Sequence, residues 1–232
     1  MSSAISPETV TFTSAGDTID AWHFRGAGDA LASSVGRPVV VMAHGLGGTK
    51  DSGLASFAEQ LAAAGCDVLA FDYRGFGASG GTPRQTVSMA GQLDDYRAAM
   101  DAARKLEGVD PSRLVLWGVS LAGGHVFAAA AGRDDVAAVI ALTPLVDGVA
   151  AGRLALKHHS LRAIARSSLL GMRSRIGAAQ MMPIVARPGQ LGALTLDGAM
   201  EDYLAIAGPT WRNEIDAAVG MELGSHRPTK VA

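Results

Sequence analysis

Ser120 is the residue best placed for chemistry, because it lies where an apolar strand-like run turns into a helix-like one. A sharp strand-to-helix turn holds its central residue in a strained backbone conformation, so the residues two before and two after must be small. Gly118 and Ala122 meet that requirement. A helix beginning at Leu121 directs its free N–H groups and the positive end of its dipole at the serine. The pattern predicts a nucleophilic serine; a Gly-Ser turn that only packs a helix on a strand is the alternative.

A glycine-rich loop, His44-Gly45-Leu46-Gly47-Gly48, follows the apolar run Pro38–Met42. Glycines allow backbone N–H groups to approach a substrate oxygen closely, which suits oxyanion binding. The alternative is a phosphate-binding loop of a nucleotide fold. That fold requires a third glycine in Gly-x-Gly-x-x-Gly, or a lysine followed by Ser or Thr, and this loop has neither.

A third segment, Asp72-Tyr73-Arg74-Gly75-Phe76-Gly77-Ala78-Ser79, follows the next buried run. In order and spacing, the three segments resemble the α/β-hydrolase superfamily of serine esterases, lipases and peptidases from about residue 36 to 145. Ala122 stands where that family usually has glycine. The resemblance implies that Ser120 attacks a carboxylic ester or related acyl bond. It also implies that the N–H groups of Leu46 and Leu121 bind the oxyanion.

The acid and histidine of a catalytic triad should follow the serine in chain order, at the exits of later strands. Asp147 follows a predicted strand and is the candidate acid, with capping of the next helix as the alternative. His158, His159 and His226 are expected to be solvated. His125 is expected to point away from Ser120 and to be structural.

No histidine of the chain occupies the position expected for the base, so we predict that none reaches hydrogen-bond distance of Ser120. The sequence is expected to stop before the triad acid and histidine, about 50 residues short at ordinary element lengths. The function predicted is that of a serine hydrolase. The alternative is a catalytically incomplete fragment, or a non-catalytic binding member of the same fold.

Strands alternate with helices over the first 146 residues. An opening hairpin and four buried strands are predicted at Thr9–Thr13 with Thr18–Phe24, then Pro38–Met42, Asp67–Phe71, Leu114–Trp117 and Val136–Leu142. Helices are predicted from Leu54, from the capping-box pattern Thr82-Pro83 with Gln85, and from Leu121. The fold class is therefore α/β, with an α/β-hydrolase-like, mostly parallel, doubly wound sheet, an opening β-hairpin and a helical cap. The last strands are expected to be missing.

Three parts are predicted: a core at 1–146, a helical cap at 147–220 and a run-in to a missing core segment at 221–232. From Val149 to Leu196 there is no Asp or Glu, whereas several Arg and Lys residues occur there. Leu154, Leu161, Ala165 and Met172 recur at helical spacing, which indicates a basic amphipathic surface. A solvated cap face is one interpretation, and attraction of anionic or lipid-like substrates is the other.

The amino-acid composition and net charge limit the kinds of partner that are expected. The chain has 232 residues, 48% of them hydrophobic, and a net charge of -2, which argues against a nucleic-acid partner. The single cysteine, Cys66, is expected to be a buried thiol. No run approaches the ~18 apolar residues of a membrane span, and the first fifteen residues do not resemble a signal peptide, so a cytoplasmic protein is expected. We expect a small-molecule acyl substrate, no cofactor, no metal, and self-association through the exposed sheet edge at Val136–Leu142.

Overall fold

The main sheet has six strands, in the order β1-β2-β4-β3-β5-β6. This computed structural model describes residues 6–155 and 160–228. The strands are β1 (Glu8–Ser14), β2 (Asp17–Phe24), β3 (Arg37–Ala43), β4 (Asp67–Phe71), β5 (Val109–Val119) and β6 (Val136–Leu142). Strands β4, β3, β5 and β6 are parallel, whereas the β1–β2 hairpin joins the sheet antiparallel to β4. The predicted α/β class, opening hairpin and mostly parallel sheet are confirmed.

Helices cover both faces of this sheet. Helix α1 (Leu54–Ala63) packs on one face, and α2 (Met89–Ala103) and α3 (Leu121–Ala130) pack on the other. Alternate residues of β3 therefore enter different cores, with Val39 and Val41 on the α2–α3 side and Val40 on the α1 side. Because both faces of β3 and β4 are buried, these strands appear in the sequence as continuous apolar runs. The expectation that Val136–Leu142 is a buried strand is wrong, because β6 lies at the edge of the sheet among the described strands and its residues are half-buried or exposed. Cys66 is a buried free thiol in the α1-side core, as expected.

Helix α2 begins later than predicted. Its N-cap is Ser88, whose side chain accepts from the Gly91 N–H at 3.1 Å, so Thr82, Pro83 and Gln85 do not form the helix start. Gln85 has a φ of 57° and lies in a loop. Its N–H donates to Gly75 O at 2.9 Å, and its side-chain amide donates to Glu214 O at 2.8 Å. These tertiary contacts override the local capping pattern.

The chain after β6 forms helices and a short two-stranded sheet, with the elements α4 (Gly148–Ala155), α5 (Leu161–Ile176), β7 (Met181–Met182), α6 (Ala199–Ile206), β8 (Ile215–Asp216) and α7 (Val219–Ser225). We call residues 147–155 and 160–228 the covering segment. The domain boundaries predicted above stay predictions. Leu154 and Leu161 lie on separate helices, so the predicted apolar stripe is not continuous. Within the described residues, no helix has both the length and the apolar character needed to cross a membrane.

Candidate active site

Ser120 lies at the junction of β5 and α3, with a φ of 56° and a ψ of -113°. A side chain at positive φ is disfavoured by contacts with its own backbone, so neighbouring structure must hold this conformation. The Ser120 N–H donates to Leu142 O and the Leu145 N–H donates to Ser120 O, both at 2.9 Å. The end of β6 and the segment after it thus fix the turn from both sides.

The neighbours of Ser120 show why small residues are needed. A Cβ atom added to Gly118 would clash with the carbonyl group of Ala122. Ala122 itself is fully buried, and a Cβ on Gly123 would come within 3.1 Å of the Pro144 Cα. The requirement at these positions is steric, and alanine at 122 satisfies it.

The glycine-rich loop lies directly against the serine. A Cβ on Gly45 would be 3.0 Å from the Ser120 Cβ and 3.6 Å from its Oγ. His44 Nδ1 is 2.9 Å from Gly45 O and must donate to it, because a carbonyl only accepts. In a trans peptide the N–H points opposite the C=O, so the Leu46 N–H is directed away from the His44 ring.

Two backbone N–H groups near the serine are unpaired among the described residues. Within residues 6–155 and 160–228, neither the Leu46 N–H nor the Leu121 N–H donates to a protein acceptor. The Leu121 N–H is free because it belongs to the first turn of α3. Both residues line the same cavity as Ser120. The sequence-predicted residues His44, Gly45, Leu46, Ser120 and Leu121 are therefore brought together.

The covering segment holds the glycine-rich loop through its carbonyl oxygens. Tyr203 Oη donates to Leu46 O at 3.2 Å, and Trp211 Nε1 donates to Gly47 O at 3.0 Å. Gly47 adopts a φ of 62°, which suits glycine. Neither aromatic residue is among those predicted from the sequence. No local pattern marks them, because they lie 157 and 164 residues from the carbonyls they bind.

A buried ion pair fixes the residue that follows the loop. Lys50 Nζ lies 2.6 Å from Asp20 Oδ1 and 2.7 Å from Asp72 Oδ2. Burial opposes the charged form of Lys50, but Asp72 and Asp20 outweigh it and raise the pKa of the amine. Asp72 also accepts from the Lys50 and Ala78 N–H groups. The motif that begins at Asp72 therefore supports the loop rather than contacting Ser120.

His44 is a neutral part of this support. It is buried, and burial lowers the pKa of its imidazole, partly offset by the nearby Asp72. Its ring packs edge-on against Tyr73 at 4.9 Å between centroids. A neutral, fixed imidazole positions the loop without adding charge beside Ser120.

Ser120 opens into an apolar cavity of about 550 Å³. The core contributes Leu46, Leu121 and Leu145, and the covering segment contributes residues of α4, α5 and α7 and of the 182–194 loop. No Asp, Glu, Lys, Arg or His is among the described residues that line it, and its polar side chains are Ser120, Ser167 and Ser168. Met182 lines the cavity, whereas Met181 is exposed. The cavity walls are therefore mostly apolar.

Asp147 caps helix α4. Its Oδ1 accepts from the N–H groups of Val149 at 2.9 Å and Ala150 at 3.0 Å. Its Oδ2 lies 3.7 Å from Arg227 Nη1. These contacts match the capping alternative, and a role as triad acid remains a prediction.

His226 is buried, so the expectation that it is solvated is wrong. The chain after α7 packs back onto α3, and the Gly148 N–H at the start of α4 donates to His226 O at 3.0 Å. The His226 ring meets the His125 ring edge-on at 4.9 Å, and a Cβ at Gly124 would clash with it. His125 is structural, as predicted: it is fully buried, with its Nε2 3.0 Å from Gln92 Oε1. Burial, reinforced by His226, lowers the pKa of His125 to about 3.

The remaining histidines leave the triad base unassigned. His158 and His159 lie outside the described residues. In the part of the chain that the structure describes, no histidine makes a hydrogen bond with Ser120 Oγ. His23 Nε2 instead lies 2.6 Å from Asp67 Oδ1, at the first residue of β4.

The strand order, together with a serine elbow facing a glycine-rich loop, is that of the α/β-hydrolase class. Residues 38–224 match the family described as the alpha/beta hydrolase fold, and the chain belongs to that family.

Individual proteins of known name or structure are also similar to this chain. The chain is 39% identical over 181 residues to the quorum-quenching protein AidA of Acinetobacter baumannii (strain MDR-ZJ06), covering 75% of this chain and 58% of the relative. It is 35% identical over 130 residues to the thiohydrolase aneE of Aspergillus aculeatus, covering 56% of this chain and 40% of the relative. The chain thus spans about half the length of these relatives. The crystal structure of the alpha/beta hydrolase GrgF from Penicillium sp. sh18 superposes with a TM-score of 0.74 at 24% identity, covering 96% of this chain and 74% of that one, which shows a shared fold.

Proposed function

We propose that this protein is a serine hydrolase that cleaves carboxylic esters or related acyl bonds through an acyl-enzyme on Ser120. The observation that carries the proposal is the strained Ser120 turn beside the free N–H groups of Leu46 and Leu121. Strain at one residue, with unpaired backbone N–H groups of residues that line the same cavity, is typical of a reacting centre.

The reaction follows from these groups. Ser120 Oγ attacks the acyl carbonyl and its proton passes to a histidine base, which the family resemblance implies and which remains unassigned. The N–H groups of Leu46 and Leu121 bind the tetrahedral oxyanion. Collapse expels the alcohol or thiol with that proton and leaves the acyl group on Ser120. Water then releases the acid by the same steps in reverse.

The substrate proposed is a small molecule with an apolar acyl chain. The cavity beside Ser120 offers apolar walls and no charged side chain among its described lining residues. The name of one relative, a thiohydrolase, supports a hydrolytic reaction, as does membership of the alpha/beta hydrolase family.

A second candidate is a catalytically incomplete fragment or a binding member of the fold. The observation that favours it is that Ser120 Oγ makes no hydrogen bond with a histidine in the described residues. Such a protein would hold the same ligand without turning it over.

Labelling with an alkyl fluorophosphonate tests the nucleophile, because the serine oxygen displaces fluoride and becomes covalently phosphonylated. We expect one label per chain, none on Ser120→Ala, and unchanged labelling of Ser167→Ala and Ser168→Ala, which change other serines of the same cavity. Labelling that persists in Ser120→Ala would refute the assignment of the nucleophile.

Turnover of a p-nitrophenyl ester separates the two candidates. A complete enzyme turns over at ordinary enzymatic rates and loses that rate in Ser120→Ala. A chain without its base and acid keeps at most the ~10³ to 10⁴-fold acceleration over water that oxyanion donors and binding provide.

A further inference from the structure

A second cavity, of about 610 Å³, adjoins the apolar one. The two share Ala163, on the first turn of α5, and Leu191. The α5 residues of the apolar cavity run from Ala163 to Met172, which corresponds to about 14 Å along a helix. An elongated ligand can therefore extend from the Ser120 cavity toward the second one.

The second cavity is cationic. Arg162 and Arg166 line it, one helical turn apart on α5, and no Asp or Glu lies among its described lining residues. Neither arginine forms an ion pair within the described residues, whereas Arg187 is paired with Glu201 at 3.7 Å. The cavity also receives the N-terminal end of α5, whose dipole favours an anion.

The sequence explains why these arginines are unpaired. No Asp or Glu occurs between Val149 and Leu196, so α5 has no carboxylate of its own to neutralise them. An exposed arginine is an ordinary feature of a protein surface. Two arginines that line a cavity next to the apolar cavity, however, provide bidentate donors for a carboxylate or phosphate.

We propose that Arg162 and Arg166 bind an anionic group of the substrate, while its acyl chain occupies the apolar cavity beside Ser120. The inference rests on the proposed function for the bond that is cleaved. The anion is a carboxylate at the far end of the acyl chain or a phosphate on the leaving group, as in a phosphopantetheine thioester. Both present the same oxygen chemistry to the two guanidinium groups.

Binding to the Ser120→Ala protein, followed by calorimetry, tests this independently of turnover. Two pairs of probes differ only in the anion. Sebacic acid monomethyl ester is compared with its dimethyl ester, and decanoyl-phosphopantetheine with decanoyl-pantetheine. We expect one anionic probe to bind about tenfold more tightly than its neutral partner, the effect of a charge-assisted hydrogen bond. The pair that shows the preference identifies the source of the anion.

Variants assign the effect to the cavity. Arg162→Gln and Arg166→Gln should each remove most of the preference without changing affinity for the neutral probe. The matched control is Arg173→Gln, on the same helix with the same loss of charge but outside both cavities. Equal affinity for both members of both pairs, absence of binding, or an equal loss in Arg173→Gln would overturn the proposal.

The experiments distinguish failure of the anion site from failure of the proposed hydrolase function. Fluorophosphonate labelling of Ser120 without any anion preference refutes this inference alone. An anion preference that depends on Arg162 and Arg166, in a chain whose Ser120 is not labelled, refutes the hydrolase proposal and leaves a binding site.

Discussion

At the residue scale, the backbone of Ser120 is held where glycine is more stable than serine. Its φ of 56° and ψ of -113° cost free energy that hydrogen bonds to Leu142 and Leu145 offset. The conformation places the side chain beside the glycine-rich loop, so stability is lower where the chemistry is proposed to occur.

Ser120→Gly should therefore raise the free energy of unfolding by about 1 kcal/mol, because glycine has no Cβ to strain at this φ. Ser120→Ala keeps the Cβ and should show no comparable gain. Urea unfolding of the three proteins measures this. Equal stability of the glycine and alanine variants would mean that the turn is not strained.

His125 links the stability of the fold to pH. Its pKa is about 3 in the folded protein against an ordinary 6.5, so between these values the unfolded chain binds a proton that the folded chain does not. Stability should fall as pH decreases below 6.5, by about 1.4 kcal/mol per unit at full effect. Burial also lowers the pKa of His44 and His226, so they act in the same direction.

Between pH 6 and pH 5, His125→Gln should reduce the slope of the unfolding free energy against pH by about 1.4 kcal/mol per pH unit, which is the contribution of one proton. The part of the slope that comes from the other histidines should remain. Urea unfolding at several pH values measures it. The slope of the unfolding free energy against pH can be compared even if the variant is less stable at every pH. An unchanged slope would show that His125 is protonated alike in both states.

At the element scale, the glycine-rich loop is positioned by elements that are distant in sequence. Asp72 holds it from the end of β4, while Tyr203 and Trp211 hold its carbonyls from the covering segment. Each peptide whose oxygen is fixed has its N–H fixed as well. Tyr203 thus fixes the peptide that carries the Gly47 N–H, which is next to the proposed donor at Leu46, while the Leu46 N–H shares its peptide with the Gly45 carbonyl that His44 holds. The covering segment therefore supports the peptide adjacent to one proposed oxyanion donor, in addition to enclosing the cavity.

Tyr203→Phe removes one such hydrogen bond and should slow fluorophosphonate labelling of Ser120 several-fold. Tyr96→Phe is the control, because its buried hydroxyl lies 2.8 Å from the carbonyls of Val41 and Trp117, within the sheet. Each variant should lose about 1 kcal/mol of stability. Only Tyr203→Phe should affect labelling, and equal rates in both variants would exclude a positioning role.

At the scale of the whole molecule, β6 is the edge of the sheet among the described strands. It pairs with β5 on one side, and Ala137 and Ala138 are exposed. The strand carries no charge or proline, the features that usually prevent an edge from pairing with another chain.

We expect the 232-residue chain to self-associate through this edge at micromolar concentrations. Ala138→Lys places a charge on β6 and should shift the protein toward monomer in light scattering. Ala63→Lys adds the same charge at the exposed end of α1 and should leave association unchanged. A monodisperse monomer, or equal effects of both lysines, would rule out the edge.

Most of the sheet and several components of the candidate site are predictable from the sequence alone. The continuous apolar runs predicted strands buried on both faces, and this holds for β3 and β4. The run Val136–Leu142 does coincide with a strand, β6, but its residues are only half-buried or exposed because β6 is the edge of the sheet among the described strands. The small residues around Ser120 and the glycines after β3 are consequences of local sterics, which adjacent residues specify. These features are predictable because each depends on a few neighbours in the chain.

Features that depend on contacts between distant residues were not predictable from the sequence. Helix α2 has its N-cap at Ser88 rather than at Thr82, because hydrogen bonds to Gly75 and Glu214 hold Gln85 in a loop. His226 became buried because the chain after α7 packs on α3. Tyr203 contacts Leu46 although 157 residues separate them in the sequence. The two adjoining cavities are lined in large part by the covering segment, so they exist only in the folded chain. Spacing along a sequence carries no signal for such contacts, because their free energy comes from surfaces that meet only in the folded chain.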